Sequence, residues 1–107
     1  MTRSIAVLLA CAALLRADRQ SGELRISVSD ATGAALAARV EVESAINQFR
    51  RVLETSPEGR LIIPGLAFGP YRAVVTRDGF APSSLNLEIR SEVPVERRVT
   101  LELRGIT

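Results

Sequence analysis

Histidine is absent from the 107-residue chain, and so is lysine. Imidazole is the usual general base and a common zinc ligand, and lysine is the base in serine–lysine variants of nucleophilic catalysis. With both residue types missing, a serine or threonine nucleophile lacks its ordinary base. The sequence therefore predicts a protein that is not an enzyme, and we assign no catalytic residue, no metal ligand and no cofactor.

Cysteine and aromatic residues are also scarce. Cys11 is the single cysteine, which excludes an intrachain disulfide. Tryptophan is absent, and one tyrosine and three phenylalanines are the only aromatic residues. The apolar content is therefore aliphatic, and much of it lies near the N-terminus.

The first 17 residues, MTRSIAVLLACAALLRA, have the three regions of a secretory signal peptide: Arg3, an apolar run over 5–15, and the small residue Ala17. A run of this length is too short for a transmembrane helix, which needs about 20 apolar residues. We predict a signal peptide over 1–17 and a mature chain with no membrane span. A buried N-terminal helix is the alternative.

The predicted cleavage divides the chain into a leader, a short linker over 18–22 and one domain over 22–104. The mature protein would be exported, either periplasmic or secreted. Because Cys11 follows Leu-Leu-Ala, attachment to the outer membrane as a lipoprotein is a second, weaker possibility. The apolar residues that continue after Cys11 argue against it.

The net charge of +2 belongs to the leader. Removal of 1–17 takes away Arg3 and Arg16 and no acid, which leaves 12 basic and 12 acidic residues. Nucleic-acid binding requires a net basic surface that neutralises phosphates. A formally neutral mature chain therefore predicts no nucleic-acid partner.

The mature chain alternates apolar and polar residues with a period of two, the pattern of half-buried strands. Turn residues, mainly glycine, proline, aspartate and serine, separate the alternating runs, as in β-sandwiches. The third run contains Arg50 and Arg51 in sequence, which favours a bulge or an edge position there. The pattern predicts seven strands, at 23–29, 38–43, 48–54, 60–63, 71–77, 85–90 and 97–103.

The stretch GPYRAVVTRDGFAP, residues 69–82, shows how one such strand is bounded. Pro70 cannot donate a ladder hydrogen bond, so it should lie at the beginning of the strand. Tyr71 should face the core, and Val74 on the opposite face predicts partial cover on both sides. Asp78-Gly79 should reverse the chain, after which Phe80 would cap the core.

These runs, in this order, resemble the carboxypeptidase regulatory-like domain. The family pattern consists of a glycine, a strand ending in Val-x-Asp, a Val-x-Val strand, and later Leu-x-x-Gly-x-Tyr and Gly-Phe motifs. Leu61 departs from it, since an aromatic residue is usual there, and so does Pro64. The residues at the positions of the family pattern, with Leu61 as the departure, are Gly22, Val28, Asp30, Gly33, Ala38, Val40, Val42, Gly59, Leu61, Ile63, Leu66, Gly69, Tyr71, Val75, Gly79 and Phe80.

The resemblance implies an all-β fold, a seven-stranded Greek-key sandwich of the transthyretin (prealbumin) type. Members of this family occur beside carboxypeptidase domains, at the N-terminus of TonB-dependent receptors and in other exported bacterial proteins. They are regarded as docking or interaction modules. We therefore expect an accessory module of the bacterial cell envelope whose partner is another envelope protein or a polysaccharide, with no oligomeric state predicted.

A carbohydrate-binding module is the alternative function, because sugar sites on sandwiches use exposed aromatic rings. Phe49 and Phe68 are the candidate ligand contacts, since Tyr71 and Phe80 are expected in the core. Exposure of both rings side by side would favour this alternative, and burial of both would oppose it.

Other charged groups have simpler interpretations than a site. Glu41 and Glu43 share a strand face and could pair for acid–base chemistry or calcium, but a solvated face balanced by arginines is favoured. Asp30 and Asp78 lie at turns, where aspartate usually bonds to its own backbone. The pairs Arg50-Arg51 and Arg97-Arg98 could dock an anionic partner, although protection of a sheet edge is favoured.

Overall fold

The computed structural model describes residues 20–105, which contain seven strands and no helix. The all-β prediction is confirmed, whereas the predicted signal peptide over 1–17 and Cys11 lie outside the described residues. Within 20–105 there is no helix that could cross a membrane. The strands are β1 (Ser21–Asp30), β2 (Arg39–Ser44), β3 (Phe49–Glu54), β4 (Arg60–Ala67), β5 (Gly69–Thr76), β6 (Ser83–Ile89) and β7 (Val95–Leu101).

The strands form two sheets that pack face to face. The three-stranded sheet has the order β4-β1-β7, and the four-stranded sheet has the order β3-β2-β5-β6. The chain crosses between them after β1, β3, β4 and β6, while β2–β3 and β5–β6 stay within one sheet. The predicted seven-stranded Greek-key sandwich is confirmed.

The core lies between the sheets and follows from the period of two. Alternate residues of β1 point inwards, and Leu24, Ile26 and Val28 are almost completely buried. Val40 and Val42 of β2 meet them from the other sheet. Burying an aliphatic side chain of this size stabilises the fold by about 1.5–3 kcal/mol, so the aliphatic composition supplies the core without tryptophan.

The fourth strand is longer than the alternation predicts, because it continues beyond Pro64 to Ala67. Gly22 of β1 lies opposite Leu66 and Leu24 lies opposite Ile63, so β4 contains one more residue than β1 between these pairs. This bulge includes Pro64, which has no amide hydrogen to donate, and Gly65, whose φ of 70° suits glycine. The proline is tolerated because β4 is an edge strand.

The third strand is an edge strand, as its sequence suggested. Its register with β2 is continuous from Arg39 opposite Glu54 to Ser44 opposite Phe49, so the alternative of a bulge is wrong. Arg51 occupies an inward-facing position at this edge and stays exposed. The break in alternation reflects the open edge of the core, where one inward side chain need not be apolar.

The fifth strand has the predicted arrangement. Pro70 is the second residue of β5, the Tyr71 side chain is buried and Val74 is half-buried. Phe80 follows the turn after β5 and packs, half-buried, against the core. The aromatic ring therefore covers the end of the sandwich, as expected.

A tight backbone contact joins the turn before β4 to β1. The amide of Val28 donates to the carbonyl oxygen of Gly59 at 2.7 Å. Gly59 has a φ of 76°, and a Cβ atom built there would overlap the Val28 carbonyl oxygen and lie 3.0 Å from that of Leu36. Only glycine satisfies both constraints.

Gly59→Ala should therefore lower the free energy of unfolding by about 3 kcal/mol or more, because it combines positive φ with overpacking. Gly33→Ala is the matched control: its φ is 89°, but no heavy atom lies within 4 Å of the added Cβ. The control should cost only about 1–2 kcal/mol. Urea denaturation measures both, and equal losses would contradict the contact.

Candidate functional site

Three loops meet at the end of the sandwich where β1 begins. The register places Ser21 opposite Ala67 and Gly69 opposite Ile89, so the β4–β5 turn lies beside the start of β1 and the end of β6. The β2–β3 turn reaches the same region through Asn47. We call residues 45–48, 67–69 and 90–94 the loop end.

The buried Tyr71 side chain forms hydrogen bonds to two of these loops. Its side chain is 3% exposed, and its hydroxyl group donates to the carbonyl oxygen of Ala67 at 2.8 Å. The same hydroxyl accepts from Nδ2 of Asn47 at 3.3 Å, and this amide nitrogen also lies 3.2 Å from the carbonyl oxygen of Phe68. The buried hydroxyl is thus satisfied, and it fixes the position of both turns.

The two predicted ligand contacts lie in this region with different surroundings. Phe49 is half-buried and meets the Tyr71 ring edge to face, with centroids 5.8 Å apart at 80°. The Arg51 guanidinium lies 5.5 Å from the centroid of Phe49, within cation–π range. Phe68 is 37% exposed in its turn. Since one ring is exposed and the other packs on the core, their role as ligand contacts stays a prediction.

Each of the three loops also presents an apolar side chain to solvent. Ile46 is 73% exposed and Val93 is 70% exposed, and Phe68 stands in the third loop. These three are half of the large exposed apolar residues within 20–105, so exposed apolar side chains are concentrated at one end. Ile46, Asn47 and Val93 were not predicted from the sequence. For Ile46 and Val93 the signal was an apolar residue inside a turn, where polar residues are usual, whereas nothing in the sequence pointed to Asn47.

The two glutamates of β2 lie beside arginines on the outer face of the sheet, as expected. Glu41 accepts from Nε of Arg50 at 2.8 Å. Glu43 lies opposite Arg50 on one side and Arg72 on the other. Within 20–105 no three acids, cysteines or histidines stand close enough to share a metal ion.

Asp30 organises its turn, as expected. One of its carboxylate oxygens, Oδ1, accepts from the Thr32 hydroxyl at 2.6 Å, from the Thr32 amide at 2.9 Å and from the Ala34 amide at 3.1 Å. The Thr32 hydroxyl contributes most to lowering the pKa of Asp30, and the backbone amides add to the effect. This carboxylate therefore has a structural role.

The arginine pairs both lie on edge strands, β3 and β7, which agrees with protection of the edges. Arg98 nevertheless faces outwards beside β1, on a surface described below. At the end opposite the loop end, a groove of about 440 Å³ is bordered by Arg39, Glu54, Arg77, Asp78 and Arg104. Arg77 donates to the carbonyl oxygen of Ala37 at 2.7 Å, so this side chain is committed to the fold.

Seven strands in two packed sheets around an aliphatic core form a β-sandwich of the transthyretin (prealbumin) type. The sequence identifies its family: the chain belongs to the carboxypeptidase regulatory-like domain family, whose sequence model matches residues 23–103. The resemblance found in the motifs is thereby confirmed over nearly the whole described region. A search of curated proteins found no match to this sequence.

Solved structures with this fold come from several functional classes. A minor pilin from Streptococcus agalactiae has a TM-score of 0.67 and 18% identity, over 82% of this chain and 47% of the pilin. A 3-chlorocatechol 1,2-dioxygenase from Rhodococcus opacus has a TM-score of 0.65 and 13% identity, over 79% and 61%. A putative carbohydrate-binding protein from Pseudomonas aeruginosa has a TM-score of 0.59 and 13% identity, over 80% and 93%.

This chain thus spans less than two thirds of the pilin and of the dioxygenase. At these identities the similarity establishes the sandwich fold only, and the function has to be argued from the residues of the site.

The role of Tyr71 can be tested by removing only its hydroxyl group. Tyr71→Phe should lower the free energy of unfolding by about 1 kcal/mol, because it removes the hydroxyl donor to the Ala67 carbonyl oxygen and one of the two acceptors of the Asn47 amide. Amide hydrogen exchange should accelerate at 45–48 and 67–69 and stay unchanged in β1. Unchanged exchange in both turns would show that the hydroxyl does not fix them.

The Asp30 turn predicts a pH dependence with a definite sign. Because the folded pKa lies below the unfolded value of about 3.9, the carboxylate stabilises the fold above that value and the contribution disappears as the pH falls through the folded pKa. Asp30→Asn should therefore be less stable than the parent near neutral pH, with a difference that shrinks in acid. Denaturation at several pH values measures it; a constant difference would contradict the assignment.

Proposed function

We propose that this chain is an exported, non-catalytic interaction module of the bacterial cell envelope that contacts another envelope protein. Membership of the carboxypeptidase regulatory-like domain family and the pilin-like sandwich support an interaction module. The absence of histidine and lysine from the sequence supports a non-catalytic role. The dioxygenase shares the fold at 13% identity, which carries no argument for its chemistry here.

The loop end is the observation that carries this proposal. Ile46, Phe68 and Val93 extend from three adjacent loops, two of which are fixed by the hydrogen bonds of Tyr71 and Asn47. Exposed apolar side chains gathered on a fixed support are typical of protein contact surfaces. The sandwich thus holds the three loops in place, and the partner would bury their apolar tips.

Export is tested by the mass of the protein after expression. The full chain with a C-terminal tag, produced in a bacterial host, should be recovered with Asp18 as its first residue. Ala17→Leu should block this cleavage, because the exit position requires a small residue. Retention of residues 1–17 in the parent would contradict export by cleavage, and a lipid-modified N-terminus at Cys11, lost in Cys11→Ala, would replace it with the lipoprotein alternative.

The partner is sought by cross-linking the tagged protein to envelope extract and identifying what co-purifies. The parent should capture one envelope protein, and the triple variant Ile46→Ser, Phe68→Ser, Val93→Ser should lose about 90% of it, because the apolar contacts are gone. Val52→Ser with Leu103→Ser is the control, since both residues are exposed and lie away from the loop end.

Equal capture by the triple variant would show that the loop end is not the contact surface. A folded parent that captures no protein at all would contradict the proposed function itself.

Carbohydrate binding is the second candidate, and the exposed ring of Phe68 favours it. The Asn47 amide donates to the backbone carbonyl oxygen of Phe68, so the turn that carries this partly exposed ring is fixed. Phe49 would contribute little, because its ring packs on Tyr71. Under this function the extract would yield polysaccharide, and Phe68→Ala would abolish the binding while Phe49→Leu would preserve it.

A further inference from the structure

On the outer face of the three-stranded sheet, strand pairing brings two arginines that are distant in the sequence into one row across the strands. Ser27 in the middle of β1 lies opposite Arg60 of β4 on one side and Arg98 of β7 on the other. All three are exposed and share the outer face. They border a cavity of about 560 Å³ that Arg25, Ile62, Glu96 and Arg97 also line.

The charges of this row are free to bind an anion. Within 20–105, neither Arg60 nor Arg98 forms an ion pair, whereas the neighbouring Arg25 is paired with Glu23 at 2.6 Å and with Glu96 at 3.7 Å. Two unpaired guanidinium groups on either side of a serine hydroxyl form a set of donors suited to carboxylates.

The next row along the strands is partly apolar. Ile62 is 59% exposed, lies two residues from Arg60 on β4 and faces the same side. Residues two apart on a strand are separated by about 6.6–6.8 Å, which is also the spacing between same-side residues of an extended peptide. A peptide with an acidic residue at one position and an aliphatic residue two positions away therefore matches both rows.

The lining residues favour a peptide over a sugar chain. No aromatic residue borders this cavity within the described part of the chain, so a pyranose ring would have nothing to stack on. Ile62 instead offers an aliphatic contact, and the arginines offer charge complementarity to acids.

We propose that this face, centred on Arg60, Ser27 and Arg98, binds an extended acidic segment of a partner protein, with Ile62 contacting an aliphatic residue of that segment. The proposal rests on the function proposed above as an interaction module and gives it a second surface, on the side of the sandwich rather than at the loop end.

The test uses a fluorescent synthetic peptide with the repeat Glu-Ser-Val-Ser, which places glutamate and valine two positions apart on one side of the extended chain. The protein is the tagged full chain as purified from the bacterial host. Fluorescence anisotropy at low salt should show binding that weakens as salt is raised. Arg60→Gln with Arg98→Gln should weaken it about tenfold, and Ile62→Ser about threefold. The matched control, Arg50→Gln with Arg72→Gln, removes the same charge from the outer face of the other sheet and should leave binding unchanged.

Three results would overturn the proposal: no binding by the folded parent, equal weakening in the control variant, or binding of heparin that competes with the peptide and does not depend on Ile62. The last result would identify a site for polyanions in general. If the Arg60→Gln, Arg98→Gln variant still captures the cross-linked partner, the proposed function is unaffected. If the parent captures no protein, the proposed function is contradicted, and peptide binding is still tested by the anisotropy measurement.

Discussion

The pairing of β1 on both of its edges is the constraint on which the rest of the structure depends. This strand is antiparallel to β4 and parallel to β7, while its inward residues Leu24, Ile26 and Val28 are buried against the second sheet. A parallel pair cannot be closed by a hairpin and needs a long connection; here β2 to β6 lie in the chain between β1 and β7. The same pairing aligns Arg60, Ser27 and Arg98 on the outer face.

The loop end follows from this arrangement because β1 starts there. Ser21 pairs with Ala67, and the Ala67 carbonyl oxygen accepts a hydrogen bond from the Tyr71 hydroxyl group. These two contacts connect the beginning of β1 to the β4–β5 turn, and that turn to the core. Asn47 then joins the β2–β3 turn to the same hydroxyl. Two of the three loops that carry exposed apolar side chains are therefore fixed by hydrogen bonds to one buried hydroxyl group. If a partner binds at the loop end as proposed, these two loops would need little further ordering.

The fold could be predicted from the sequence because alternation, turn residues and motif order all indicated the same sandwich. The end of β4 was predicted too early, at residue 63, for a physical reason. Pro64 cannot continue a regular ladder, but a bulge with Gly65 lets this edge strand continue to Ala67. The candidate surfaces were harder to predict from the sequence. Phe68 could be selected by its loop, whereas Asn47 needed a contact across 24 residues, and the row of Arg60 and Arg98 depends on the registers of two different strand pairs.

The central claim is that a partner binds the loop end of an otherwise rigid sandwich, and hydrogen exchange with and without the captured protein tests it most directly. In the free protein, the amides of β1 should exchange most slowly and those of the three loops faster, at rates that are still measurable. Adding the captured protein should slow exchange at 45–48, 67–69 and 91–93 and leave the β3 edge unchanged. Protection along β3 with no change in the three loops would contradict the account, because the partner would then bind by adding a strand to the sheet.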